Sequence, residues 1–133
     1  MHYFIKTIMT SYTKIIGNRG EQLAVDFLTG KNYEILSRQF RYRNGEIDIV
    51  AKAGGVLVFV EVKTADLTRT GTSAYGDPET WLDVKKQKFL RKSAEYYLWK
   101  NKIGEIDCRF DLIAVRIYAD HEDINHIENA FWM

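Results

Sequence analysis

The chain has 133 residues, enough for one domain with its own core, and its 46% apolar and 28% charged residues are typical of a globular protein. Its formal net charge of +1 indicates no particular partner, and the single cysteine, Cys108, excludes an internal disulfide and a cysteine-based metal cluster. The sequence has no run of about 18 apolar residues and no signal-peptide pattern, so we expect a cytoplasmic protein without a membrane span.

The first thirty residues divide into two parts. Residues 1–16 have no clean apolar period, and we interpret them as a loosely attached N-terminal arm that precedes a single domain over residues 17–133. From residue 17 to residue 29 apolar side chains recur every three or four positions, which predicts a helix. Glu21 lies on or beside the apolar stripe of this helix, although a first-turn glutamate favoured by the helix dipole is the simpler explanation.

Two strands joined by a tight turn come next. Residues 33–42 mix apolar and basic side chains, as a partly exposed strand does, and Asn44-Gly45 is a strong hairpin signal. Residues 46–51 then alternate, which places Ile47 and Ile49 on one face of the second strand and Asp48 on the other.

The third predicted strand, residues 56–63, is the most apolar run in the chain and is typical of a strand buried on both faces. Its far end nevertheless carries Glu61 and Lys63, whose two-residue spacing points both side chains to one side of the sheet. A Gly-rich turn joins this strand to the previous one, so Asp48 is expected on the neighbouring antiparallel strand. The register, and hence whether all three side chains share a face, does not follow from the sequence.

The second half of the chain predicts a polar loop, a helix and one or two strands. Asp83 is expected to cap a helix that ends near residue 101, with Gln87 on its inward stripe, where a hydrogen-bonded buried amide is the alternative to a functional role. Residues 108–118 predict a further strand, and residues 124–131 predict an edge strand. The element order indicates an α/β fold with a central mixed sheet of four to five strands flanked by helices.

Positive charge is concentrated in two places, on the first predicted hairpin and on the second predicted helix. Local basic patches of this kind indicate nucleic-acid binding more strongly than net charge does, although either cluster alone is equally consistent with a solvated face. The candidate nucleic-acid-binding residues are Arg41, Arg43, Lys85, Lys86 and Lys88.

Asp48, Glu61 and Lys63 together indicate a hydrolytic site. Two carboxylates that converge repel each other unless a cation lies between them, and Mg²⁺ prefers a few carboxylates, waters and phosphate oxygens. A lysine beside such an ion can orient or deprotonate a water. This combination is suited to phosphodiester hydrolysis.

The same residues carry a family resemblance. Asp48 followed by Glu61-Val62-Lys63 on the next strand resembles the PD-(D/E)XK nuclease signature, and the helices carrying Glu21 and Gln87 make the order similar to Holliday junction resolvases of that superfamily. A closer resemblance is to the YraN-type family of small bacterial proteins. It rests on segments 20–24, 45–50, 58–64, 86–87, 109–111 and 126–131.

The resemblance implies a restriction-endonuclease-like core and a set of roles. Asp48 and Glu61 would bind Mg²⁺ or Mn²⁺ with the Val62 carbonyl, and Lys63 would position or activate water. Glu21 would reach the metal through water or a second ion, and Gln87 would hold a water or the lysine.

Three functions follow as alternatives. The first is a metal-dependent endonuclease acting on DNA, including branched DNA, for which cutting two strands would need a homodimer. The second is a nucleic-acid-binding module of the same fold without turnover. The third is a structural or interaction domain in which Glu61 and Lys63 form a simple ion pair.

Overall fold

The computed structural model describes residues 2–73 and 75–132, with side chains from residue 11 onward. Within these residues no helix is both long enough and apolar enough to span a membrane. The elements are α1 (His2–Gly30), β1 (Glu34–Tyr42), β2 (Gly45–Ala53), β3 (Val56–Leu67), a 3₁₀ turn (Pro78–Thr80), α2 (Val84–Lys100), β4 (Asp107–Tyr118) and β5 (Glu122–Phe131).

The five strands form one mixed sheet in the order in which they occur in the chain. β3 and β4 pair in parallel over their whole length, and the other neighbours are antiparallel. The β3–β4 connection passes through the 3₁₀ turn and α2, because parallel neighbours need a long crossover. The predicted α/β fold is confirmed, and it is consistent with a restriction-endonuclease-like core.

Two apolar clusters hold a helix against each face of the sheet. Under α1, Ala24 and Leu28 pack on Val58 and Val60 of β3. Under α2, Leu90 and Ala94 pack with Leu57 and Phe59, the alternate residues of the same strand. β3 is therefore buried on both faces, as its apolar run predicts.

Two element boundaries differ from the sequence prediction. α1 begins at His2, so the predicted helix start at Gly17 is wrong, and residues 2–16 continue the same helix. Within residues 11–16, Tyr12 and Ile15 are 47% and 63% exposed, so an apolar period is not required of them. β3 also runs on to Leu67, into the stretch predicted as loop, because β4 pairs with it to the end. The single domain over residues 17–133 stays a prediction.

β2 breaks its alternation close to Asp48. Ile47 was expected on the face of Ile49, but Ile47 packs in the α2 cluster and Ile49 in the α1 cluster. The pairing of β2 with β3 begins only at Ile49 and Val60, so residues 45–47 pair with β1 alone. On β1, Gln39 has a φ of 51°, which changes the direction of the strand opposite this point. We call the place where β2 leaves β3 the fork.

Candidate functional site

Asp48 and Glu61 meet at the fork. The register that pairs Ile49 with Val60 places Asp48 beside Glu61, and the two carboxyl groups are hydrogen-bonded to each other. Asp48 Oδ2 also accepts a hydrogen bond of 2.8 Å from the backbone N–H of Val62. The Asp48 side chain thus takes the place of the strand backbone that has moved away. The predicted neighbourhood of these two carboxylates is present.

The environment of Asp48 favours its neutral form. Burial, the hydrogen bond to Glu61 and the negative charge of Glu61 raise the pKa of Asp48 to about 8, while the Val62 N–H and the Lys86 ammonium act in the opposite direction. Near neutral pH the Asp48 carboxyl group therefore keeps its proton. A bound cation could replace this proton and stabilise the two carboxyl groups.

Glu61 is buried, with 4% of its surface exposed, and its Oε2 has no hydrogen-bond donor among the described residues. The Lys86 ammonium lies 3.2 Å from this oxygen, within ion-pair distance but not aligned as a donor. Sequence reasoning assigned Lys86 to nucleic-acid binding and missed this contact. Helical spacing held the signal, since Lys86, Leu90 and Ala94 follow one another at steps of four on the inward stripe.

A cavity of about 810 Å³ opens beside the carboxylates, between α1, the end of β3 and the loop that follows it. Its wall includes the three predicted residues Glu21, Asp48 and Lys63, together with Val62. Lys63 forms no ion pair with any side chain that the structure describes, and the ion pair of Glu61 is with Lys86 instead. Further basic and aromatic residues of the wall are Tyr12, Lys14, Arg69, Tyr75 and Trp81.

Glu21 reaches the cavity from α1 and is 5% exposed. Its carboxylate accepts hydrogen bonds from Arg38 Nε at 3.2 Å and from Gln39 Nε2 at 2.9 Å, so β1 holds it in place. Within the described residues no three acidic, histidine or cysteine side chains lie close enough to share one metal ion. Glu21 is therefore a separate carboxylate on the same cavity and not part of the pair at the fork.

The other predicted residues lie outside the cavity wall. Gln87 donates a hydrogen bond of 3.2 Å to the Leu82 carbonyl, which is the hydrogen-bonded alternative considered above. On α2, Lys85 and Lys88 are exposed. On the hairpin, Arg41 pairs with Glu46 at 3.0 Å, and Arg43 is exposed with its guanidinium over the Tyr42 ring.

Residues 20–115, more than half of the chain, match the sequence profile of the "Uncharacterised protein family UPF0102". The chain belongs to this family. The resemblance to a family of small bacterial proteins is thereby confirmed.

Individual members of UPF0102 match over most of their length. A UPF0102 protein of Alkaliphilus oremlandii is 46% identical over 120 residues, covering 89% of this chain and 98% of that protein. A member from Caldicellulosiruptor saccharolyticus is 42% identical over 87% of this chain and 96% of its own. One from Geobacter sulfurreducens is 43% identical over 90% of this chain and 91% of its own. The family match spans every predicted site residue from Glu21 to Lys88.

Proposed function

We propose that this protein is a metal-dependent endonuclease that hydrolyses phosphodiester bonds in DNA, including branched DNA. One observation carries the proposal: the half-buried carboxyl group of Asp48 and the buried carboxyl group of Glu61 are held together at the fork, and Asp48 lies with Lys63 on the wall of an open cavity. Two carboxyl groups side by side and largely away from water cost free energy, because one of them must stay protonated or a cation must neutralise them, and a purely structural site would avoid that cost. In the proposal the protein acts in the cytoplasm, and cutting both strands of a junction requires a homodimer.

The donor set at the fork fits Mg²⁺ or Mn²⁺. Glu61 Oε2 is buried and lacks a hydrogen-bond donor among the described residues, and the pKa of Asp48 is raised beside it. Two carboxylates and the Val62 carbonyl would hold the ion, leaving further positions for waters and phosphate oxygens, as Mg²⁺ prefers. When bound, the ion would stabilise negative charge on the phosphate and lower the pKa of a coordinated water.

The remaining work falls to residues of the cavity wall. Lys63, free of ion pairs among the described side chains, would position the attacking water or take its proton. Lys14 and Arg69, both exposed at the same cavity, would attract the phosphates of the substrate. Glu21, fixed by Arg38 and Gln39, would hold a water by hydrogen bonds.

A second candidate is a nucleic-acid-binding module without turnover. The contact of Lys86 with Glu61 favours it, because this ammonium already supplies one positive charge to the carboxylate pair. In that case Lys86 would be a permanent substitute for the metal ion. The two candidates differ in whether DNA is cut, so one experiment separates them.

The test is cleavage of labelled branched, flapped and linear DNA, and of RNA, by the purified protein in Mg²⁺ or Mn²⁺. We expect cleavage that stops with EDTA and falls by at least about 100-fold in Lys63→Ala, as is usual when a group acting in the transition state is removed. Lys52→Ala, an exposed lysine at the far end of β2, is the matched control and should cleave normally.

Each outcome decides between the candidates. Binding without cleavage on every substrate would favour the module. Cleavage that survives in Lys63→Ala would remove the proposed site. Absence of both DNA binding and metal binding would favour a structural domain.

A further inference from the structure

Four aromatic rings form a continuous row on the outer surface between α2 and the β1–β2 hairpin. Consecutive ring centroids are 5.8 Å apart for Trp99 and Tyr96, 5.1 Å for Tyr96 and Tyr42, and 6.0 Å for Tyr42 and Phe89. Trp99 is 75% exposed, and the other three rings are half-buried. We call Trp99, Tyr96, Tyr42 and Phe89 the aromatic row. Neither the carboxylate pair nor the cavity uses these rings.

Basic side chains alternate with the rings along α2. Lys85, Phe89, Lys92, Tyr96 and Trp99 follow one another at steps of four, three, four and three, so they lie on one face of the helix. α2 carries six lysines and arginines and a single acidic residue, Glu95. A face that alternates aromatic rings with lysines is complementary to a chain that alternates bases with phosphates.

The hairpin contributes to the same surface from the other side. The guanidinium of Arg43 lies 5.4 Å from the centre of the Tyr42 ring, and Lys100 lies 5.6 Å from that of Phe40. Gly45 permits the close contact between hairpin and helix, because a Cβ there would lie 2.5 Å from Cζ of Phe89. The two basic clusters predicted from the sequence are thus parts of one surface.

The aromatic row ends at the candidate site. Lys86 has its ammonium 5.1 Å from the centre of the Phe89 ring and 3.2 Å from Glu61 Oε2. One side chain therefore touches both the last ring of the row and the carboxylate pair. A strand bound along the row would be led to the fork.

We propose that the aromatic row binds an unpaired strand of nucleic acid, with bases stacked on Trp99 and its neighbours and phosphates held by the lysines between them. This inference rests on the proposed function only in that the protein acts on nucleic acid, and it names the substrate class as one with a single-stranded segment. In a duplex the faces of the bases are covered by stacking and only base edges and phosphates are accessible, so exposed rings contribute little. The positive charge of the surface opposes pairing with a second copy of the same face.

The test measures binding without turnover. A fluorescently labelled single-stranded oligonucleotide and a blunt duplex of the same length are titrated in EDTA, and anisotropy gives Kd. We expect Trp99→Ala to weaken single-strand binding by about tenfold, within the range for a base stacked on an aromatic ring, and to leave duplex binding unchanged. Trp132→Ala, also 75% exposed but outside the row, is the matched control.

A second pair of variants tests the phosphate contacts. Lys92→Ala should lower the slope of log Kd against log salt by about one, and Lys52→Ala should not. Both lysines are exposed, so neither change threatens the fold.

Several results would overturn the inference. They are a wild-type protein that binds no single strand, a Trp99→Ala variant equal to Trp132→Ala, and an equal loss on duplex and single strand. A fourth is a dimer that Trp99→Ala dissociates without any change in Kd. The binding assay contains EDTA and no metal, so a protein that fails to cleave DNA would not contradict this inference. A protein that cleaves DNA but binds single strands equally well without Trp99 would reject this inference and leave the endonuclease proposal standing.

Discussion

Asp48 has two tasks that a single substitution can separate. It accepts the hydrogen bond of the Val62 N–H, which completes the sheet at the fork, and in the proposed function it binds the metal ion together with Glu61. The first task needs only an oxygen acceptor, whereas metal binding needs a carboxylate.

Asp48→Asn should therefore keep the fold and lose cleavage. The amide oxygen can still accept from Val62, the amide nitrogen can donate to Glu61, and one of two adjacent carboxylates is gone. We expect Tm in EDTA to stay level or rise by a few degrees, for a gain of roughly 1 kcal/mol, and cleavage to fall by at least about 100-fold. Thermal unfolding and a cleavage assay measure both, with Asp123→Asn as an exposed control. A variant that cuts DNA at the wild-type rate would contradict the assignment.

At the residue scale, the sequence predicted which residues lie on neighbouring strands better than it predicted the contacts of long side chains. Strand spacing and a short Gly-rich turn were enough to place Asp48 on the strand next to Glu61 and Lys63, which lie in the middle of β3. Lys86 was missed because Gln87 occupies the adjacent stripe position, and the reach of a lysine depends on where the helix lies over the sheet. Such a contact depends on the tertiary structure, so it leaves no periodic pattern in the sequence.

At the scale of whole elements, the packing of α1 on β3 depends on one glycine. Gly20 is buried, and a Cβ at this position would overlap the Thr64 side chain, with Thr64 Oγ1 the atom most severely affected. Gly17, one turn earlier on the same helix, has open space around the same position. Gly20 precedes Glu21, Thr64 follows Lys63, and Gly17 itself lines the cavity, so a shift of the helix would move the cavity wall.

Gly20→Ala and Gly17→Ala should have effects of opposite sign. Alanine at position 17 improves helix propensity and should stabilise by about 0.5–1 kcal/mol, whereas alanine at position 20 should destabilise by about 1–3 kcal/mol through overpacking. Urea unfolding of both variants measures the difference. Equal stability of the two would show that α1 can move away from Thr64 without cost.

Element boundaries show where periodicity fails as a signal. The start of α1 was placed at Gly17 because the preceding turns lack an apolar stripe, yet the helix continues where side chains such as Tyr12 and Ile15 are exposed. β3 was ended near Lys63 because the residues after it are polar, whereas β4 pairs with the strand as far as Leu67. Ile47 lies on the opposite face of β2 from the predicted one because the fork interrupts the alternation of side chains. The fork depends on how three strands pair, which the sequence of one strand does not reveal.

At the scale of the whole molecule, a buried polar network joins β4 to β5 and to the segment that follows α1. Asp111 on β4 accepts hydrogen bonds from Arg109 Nε at 2.8 Å, from His126 Nε2 at 2.7 Å and from the Asn129 N–H at 3.1 Å. Arg109 also donates to the Tyr33 hydroxyl at 2.7 Å, which ties the end of α1 to β4. Burial by itself would raise the pKa of Asp111, but the bonds from His126 and Arg109 hold it below its usual value.

Removing the Asp111 side chain should lower the free energy of unfolding more than any substitution at the candidate site. Asp111→Ala leaves Arg109 and His126 without their acceptor, and we expect a loss of about 3–5 kcal/mol, as for a broken buried pair. Asp111→Asn, which keeps one acceptor, should lose less. Urea unfolding measures both, with exposed Asp123→Ala as a control. A loss below about 1 kcal/mol in Asp111→Ala would show that the network is not needed for stability.

The parallel pairing of β3 with β4 has a consequence for synthesis of the chain. Glu61 and Lys63 lie opposite Leu112 and Ala114, residues that leave the ribosome some fifty positions later. The β1–β2 and β2–β3 pairings are local in sequence and can close early, whereas this one must wait for the whole crossover and then close a long loop. Until then the apolar edge of β3 stays open to other chains, and nascent protein truncated before β4 would associate through that edge instead of completing the sheet.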